Sequence, residues 1–300
     1  MRTRGICSIH LDVDNVWLHE RQYGLKAEHS RDAMYAQALP AFTDRLDSYN
    51  AKATFFVVGE DLKMRSCREF CVAAVAAGHE IANHTFSHYD LSRLSSVEKR
   101  SEIERAHAAI QDCVGVTPIG FRAPRYYVDD EIVETLLDLG YRYDSSILPG
   151  FATVMMRLFF LATTRRNQDS NFGRARDVFA PRRPQNLAQN RDRRGQLLEF
   201  PIAVAPRIRI PIHTTFAYQL GERYVHYALN DLSREPGPHV YLFHGIDFLD
   251  GVASPDLTQA LLPLKRSLTA RLSMLERILE KLVAAFEIRT TESLVRQPTC

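Results

Sequence analysis

The sequence predicts an α/β fold built on parallel strands, either an open doubly wound sheet or a barrel, and three observations predict it. Apolar strand-length runs alternate with helix-length segments along most of the 300 residues. Helix starts and stops fall between those runs. Polar residues gather at their carboxyl ends, where parallel α/β folds build their sites. A chain of this length can bury one substantial core.

Taken in order, strands are predicted at Ile6–Leu11, Thr54–Val58, Glu80–Asn83, Ile119–Arg122, Tyr141–Asp144, Leu198–Val204, Val240–His244 and Phe286–Thr290. Helices are predicted at Arg31–Tyr49, Leu62–Ala77, Ser96–Cys113, Asp129–Leu139 and Leu257–Ala285. Gly78 and Gly140 read as helix stops, and Ser95-Ser96 followed by Glu98 reads as a capped start. No internal repeat is visible, and a single domain over 1–300 is expected. One stretch breaks the rhythm: positions 150–195 read as an insertion near the substrate mouth. It opens with an apolar helix-like piece, Phe151 to Leu161, and continues as a loop holding Arg165, Arg166, Arg174, Arg176, Arg182, Arg183, Arg191, Arg193 and Arg194. Two readings compete for it: a buried helix with a solvated loop, or an interfacial helix whose arginines meet lipid phosphates.

Composition is that of an ordinary globular protein, 45% hydrophobic and 25% charged, and the net charge of +2 gives no sign of a nucleic-acid partner. The arginines lie in one segment without interleaved aromatics, which also argues against nucleic acid. No apolar run is long enough to span a bilayer. Met1-Arg2-Thr3-Arg4 leads straight into the first strand without the pattern of a signal peptide. The cysteines, Cys7, Cys67, Cys71, Cys113 and Cys300, are odd in number and have no framework spacing. The expected setting is a reducing cytoplasm, with peripheral contact at the inner membrane face if the interfacial reading holds.

The first strand ends in His10-Leu11-Asp12-Val13-Asp14. Side chains alternate along a strand, so His10 and Asp12 share the face opposite Ile9, Leu11 and Val13. Two carboxylates this close need a cation or an arginine to compensate them. The third strand ends in His84-Thr85-Phe86-Ser87-His88, whose two histidines can reach one cation if a helical turn separates them. With Asp14 they form a two-histidine, one-carboxylate set that leaves positions open, the mark of a catalytic rather than a structural metal site.

The run from Gly78 to His88 resembles the second signature of the polysaccharide deacetylase (NodB-homology) family, carbohydrate esterase family 4. Further signatures follow in order: Asp12-Val13-Asp14, Arg122-Ala123-Pro124, Asp144, and Leu242-Phe243-His244, so the resemblance covers Ile6 to His244. It implies a distorted (β/α) barrel of NodB type and removal of an N-acyl group, acetyl foremost, from an amino sugar through metal-activated water. It also implies that Asp14, His84 and His88 bind a divalent ion, usually zinc. Asp12 would be the general base and His244 the general acid. Arg122 would orient Asp12, and Asp144 would orient His244. A backbone N–H near Arg125 or Tyr126 could steady the oxyanion.

Two departures stand out: Val13 separates aspartates that are commonly adjacent, and Arg125 follows Pro124 where an aromatic is usual. Relatives with the Asp-Val-Asp form act on lipid-linked sugars, which implies a polyprenyl-phosphate-linked amino sugar as one substrate. The alternatives are a deformylase, a cyclic amide or imide hydrolase on the same site, or a non-catalytic carbohydrate- or lipid-binding relative. Among other residues, His10 is expected to support the site by hydrogen bonding and His79 to cap or pack. Trp17 could stack on a sugar or pack its loop. His29, His107, His213, His226 and His239 read as surface or core histidines.

Overall fold

The computed structural model describes residues 4–25, 32–151, 153–154, 173–189, 196–250 and 255–296. Among the described residues, nine strands form one sheet: β1 (Gly5–Val13), β2 (Ala53–Val57), β3 (Glu80–Asn83), β4 (Gly120–Phe121), β5 (Tyr143–Asp144), β6 (Gln185–Gln189), β7 (Gln196–Glu199), β8 (His239–His244) and β9 (Phe286–Ile288). Their order is β6-β7-β5-β4-β3-β2-β1-β8, with β9 beside the start of β1. Every pairing is parallel except β6 with β7. Beyond β7 the chain meets β8. Ile202 bridges Val240, His213 bridges Leu242, and the Ala203 N–H donates to the Val240 carbonyl at 2.9 Å. The sheet therefore closes into a distorted barrel, as the resemblance implied.

The alternation read from β1 is borne out. Cys7, Ile9, Leu11 and Val13 join Phe55, Val57, Tyr241 and Phe243 in the main apolar core outside the barrel. Four helices cover that core: α2 (Leu39–Ser48), α3 (Arg65–Ala76), α7 (Glu222–Leu232) and α9 (Leu268–Ala285). The even-numbered residues Ser8, His10 and Asp12 are buried on the opposite face, with Phe56 from β2.

Among the described residues the other α-helices are α1 (Val16–Tyr23), α4 (Ser96–Val114), α5 (Asp130–Asp138), α6 (Thr214–Leu220), α8 (Pro255–Ala260) and α10 (Thr291–Arg296). Ser95 and Glu98 form the capping box expected of α4, and Gly78 and Gly140 take the positive φ of helix stops, 86° and 80°.

Two expectations are corrected. The helix predicted over Leu257–Ala285 is two, because Pro263 cannot continue α8 and the Ser267 side chain caps a new start by accepting from the Ala270 N–H. The loop predicted in the arginine-rich segment contains β6, an antiparallel edge strand, and a short 3-10 turn at Ala175–Phe179. Most of the apolar piece from Phe151 to Leu161 lies outside the described residues, as do Arg165, Arg166, Arg191, Arg193, Arg194, His29 and Cys300.

Close packing inside the barrel generates a test. A Cβ on Gly120 would lie 2.2 Å from the ring and hydroxyl of Tyr143, which is held by donating to Glu80 Oε1 at 2.7 Å. Gly120→Ala should therefore lower the unfolding free energy by about 1–3 kcal/mol, read from denaturant titrations against wild type.

Candidate active site

The site is built around Arg122, which leaves β4 fully buried. Its Nη1 donates to Asp12 Oδ1 at 2.6 Å, its Nη2 to His10 Nδ1 and Ser145 Oγ at 2.7 Å each, and its Nε to the Ser145 carbonyl at 2.7 Å. The guanidinium also lies 4.2 Å from the centre of the Phe56 ring. Because Arg122 donates to Nδ1, His10 carries its proton on Nε2 and donates it to Thr291 Oγ1 at 2.7 Å. Burial and the arginine charge hold His10 well below the usual histidine range, so it is neutral. His10 supports the site, as expected.

Asp14 lies just past β1. The turn after it is fixed by Asn15, which accepts from the Val16 N–H and donates to Asp61. Asp61 also receives Trp17 Nε1 at 2.7 Å and the Tyr35 hydroxyl at 2.8 Å. Trp17 is thus buried in loop packing.

His84 and His88 are brought to Asp14, though by a tight loop rather than a helical turn. Thr85 and His88 have positive φ, 65° and 55°, which a β-branched residue such as Thr85 adopts only under constraint. The constraint is visible. Asn83 Oδ1 accepts from the Thr85 N–H, Thr85 Oγ1 from the His88 N–H, and Glu102 Oε2 from the Ser87 N–H, while Arg21 Nη2 donates to the carbonyls of Ser87 and His88.

The Nε2 atoms of His84 and His88 lie 3.5 and 3.1 Å from Asp14 Oδ1. One atom from each of the three residues falls within 4.8 Å of the others. His84 Nδ1 meets the Arg122 carbonyl at 2.8 Å; a carbonyl only accepts, so Nδ1 carries a proton, and in the ring's neutral form Nε2 would turn a lone pair toward Asp14. A buried carboxylate oxygen without a hydrogen bond, facing an imidazole lone pair, fits a divalent cation held between them. Burial would raise the Asp14 carboxyl, but His88 and His84 more than offset it and hold it well below its ordinary value.

His244 ends β8 and is the register partner of Asp12 on β1. Its N–H donates to Asp247, its Nδ1 lies 3.5 Å from Thr214 Oγ1, and its ring packs 5.7 Å from His213. Asp144 does not join it, which corrects the role implied for that residue. Asp144 is the register partner of Glu199 on β7, and both are fully buried. Ser146 Oγ donates to Asp144 Oδ1 and the Ile147 N–H to Glu199 Oε1, while Asp144 Oδ2 and Glu199 Oε2 have no ordinary donor. Two adjoining carboxyls in that state share a proton. Burial raises both, Asp144 to about 6 and Glu199 further. The pair braces the third motif, since Ser146 Oγ also accepts from the Ala123 N–H.

Sequence reading missed Glu199, Asp247 and Thr291, and it took His213 for a bystander. His213 is buried beside His244 with neither ring nitrogen hydrogen-bonded, and burial together with the His244 and Arg122 charges holds it well below the usual histidine range. Glu199 sits at a strand's carboxyl end, so strand-end placement could have flagged it.

A barrel carrying two histidines and a carboxylate at its carboxyl edge, with an arginine-paired aspartate beside them, has the donor set of a metal-dependent hydrolase. Residues 30–143 match the polysaccharide deacetylase family. A chitin deacetylase of Cryptococcus neoformans var. grubii is 36% identical over 34% of this chain and 21% of its own length. A chitooligosaccharide deacetylase of Bradyrhizobium sp. is 35% identical over 34% of this chain and 46% of its own. The match thus spans less than half of either relative. A solved structure assigned to a polysaccharide deacetylase of Mycobacterium smegmatis superposes with a TM-score of 0.63 at 18% identity, covering 98% of this chain and 91% of that one, and so shares the fold.

The site generates two tests. Arg122→Met leaves Asp12 buried and unpaired and should cost about 3–5 kcal/mol of stability, partly regained in the double variant with Asp12→Asn; denaturant titration of the three variants reads it. The carboxyl pair fixes a pH dependence. A raised folded pKa stabilises fully below the ordinary value of 3.8 and loses that contribution as pH rises through about 6. Glu199→Gln should therefore gain stability relative to wild type as pH increases from about 5 to 7, measured by denaturation at each pH.

Proposed function

We propose that the chain is a metal-dependent hydrolase that removes an N-acyl group, acetyl foremost, from an amino sugar. One observation carries the reading: Asp12, with Oδ1 held by Arg122, and His244 are register partners on adjacent strands, beside the Asp14, His84 and His88 set. When bound, a divalent ion, zinc by family resemblance, supplies Lewis-acid polarisation of the acyl carbonyl and activates a water.

The chain's own residues do the rest. Asp12 Oδ2, which has no protein partner among the described residues, takes a proton from the attacking water. Arg122 orients Asp12 by its bond to Oδ1. His244 delivers a proton to the departing amine nitrogen, and a carboxylate and an imidazole in unlike surroundings suit these opposite tasks. His213 and Thr214 border the acid and restrict its ring.

The proposal extends to a lipid-linked amino sugar at the cytoplasmic membrane face, a substrate the arginine-rich segment would favour. Among the described residues no helix is long and apolar enough to cross a membrane.

The test is acyl release from N-acetylamino sugars, free and polyprenyl-phosphate-linked, with and without zinc. Release should need the metal and should fall by about 10²–10⁴-fold in Asp12→Asn and in His244→Ala. Formate release from N-formyl sugars alone would change the acyl group. Release that persists in Asp12→Asn would refute the assigned base.

A further inference from the structure

Away from the site, three thiols meet where the end of α4 packs on α3. Cys67 and Cys71 lie one turn apart on the buried face of α3, both fully shielded from solvent. Cys113 lies in the last turn of α4 and is partly exposed, with Sγ 3.8 Å from the Arg68 carbonyl on α3. The Cys71 thiol is in hydrogen-bond contact with the thiols of both Cys113 and Cys67. All three are unbridged, and the proposed deacylation uses none of them.

The surroundings of Cys71 and Cys113 give the two thiols different characters. Contact with Cys71 lowers the Cys113 thiol to about 7 against the effect of its burial, and the Arg68 charge adds to the fall. Such a thiol is in large part thiolate at neutral pH, and the thiolate is the nucleophile. Cys71 is raised well above the usual thiol range, by its contacts with Cys113 and Cys67 first and by burial after them. It therefore keeps its proton and sits behind the partly exposed sulfur. Cys7 is the contrast: burial pushes its thiol up to about 12, and its Sγ meets the Ser8 carbonyl instead of another sulfur.

We propose that Cys113 and Cys71 form a hydroperoxide-sensitive pair, in which Cys113 is oxidised first and Cys71 closes a disulfide onto it. The Cys113 thiolate attacks one peroxide oxygen, so an S–O bond forms as the O–O bond breaks. Sulfur gives up two electrons, and the departing hydroxide takes a proton to become water. The Cys71 sulfur then attacks the sulfenic sulfur of Cys113. The S–S bond forms, the S–O bond breaks, and the Cys71 proton leaves with the hydroxide as a second water. Thiols already in contact need only draw together to the disulfide length of about 2.05 Å. The product fastens α3 to α4, the helices that lead into β3 and β4.

The experiment exposes the reduced full chain to equimolar hydrogen peroxide, alkylates it, and maps tryptic peptides without reduction. Arg68 stands between Cys67 and Cys71, so trypsin separates them. The expected product joins the Cys71 peptide to the Cys113 peptide, and dithiothreitol releases it. Cys113→Ser should abolish the link, and in Cys71→Ser dimedone should trap Cys113 as its sulfenic acid. Before oxidation, iodoacetamide at neutral pH should modify Cys113 at least about tenfold faster than Cys7 or Cys71. Unlinked Cys71 and Cys113 peptides after peroxide, or a link from either to Cys67 or Cys300, overturn the pair. A Cys113 that reacts no faster than Cys7 overturns its part as the thiol oxidised first. The wild-type map and the alkylation rates decide the matter even where Cys71→Ser fails to fold, and neither depends on hydrolysis of any substrate.

Discussion

The buried guanidinium of Arg122 is the constraint on which the rest depends. A charge withdrawn completely from water is tolerable only when its donors are met, and here all three nitrogens are engaged by Asp12, His10 and Ser145. The ring of Phe56 covers one guanidinium face. Lysine could not reproduce this, because a single ammonium cannot point at three strands in one plane. The arrangement ties β1, β4 and the segment after β5 into one rigid unit. It fixes which oxygen of Asp12 is left for chemistry, and the Arg122 carbonyl fixes the tautomer of His84 at the same time. One residue thus sets the orientation of the proposed base and the tautomer of a candidate metal ligand.

A second level of support comes from polar side chains that hold the strands and loops behind the site. Asp144 and Glu199 hold each other across β5 and β7 through a shared proton, and Ser146 carries that order to the Ala123 amide. The tight loop from Asn83 to His88 is held by Asn83, Thr85, Glu102 and Arg21 rather than by helical geometry. Both devices use polar contacts in a dry interior, where each is strong when satisfied and costly when broken.

Much of this was legible beforehand because it follows from periodicity. The alternation along Ile9 to Val13 predicted which side chains face inward, and strand-end placement gathered Asp12, Asp14, His84, His88, Arg122 and His244. What was not legible depends on which distant strands are neighbours. Nothing local to Asp144 says that Glu199 lies opposite it, so a role toward His244 was a natural expectation and the β5–β7 pairing overturns it. Backbone left-handedness at Thr85 and His88 was equally hidden, since neither residue type favours it. The split of the long C-terminal helix was visible in Pro263 and Ser267 but was outweighed there by the apolar period on either side.

The contact between His10 and Thr291 has a kinetic side. Thr291 opens α10, downstream of β9, and its buried hydroxyl meets the foot of a column of buried side chains that runs through His10 and Arg122 to Asp12. In the proposed hydrolase, water, sugar and released acid would then all use the mouth at the carboxyl edge. Departure of one product and arrival of the next substrate then share a single doorway, and the order in which products leave becomes a property of how tightly each is held at that threshold.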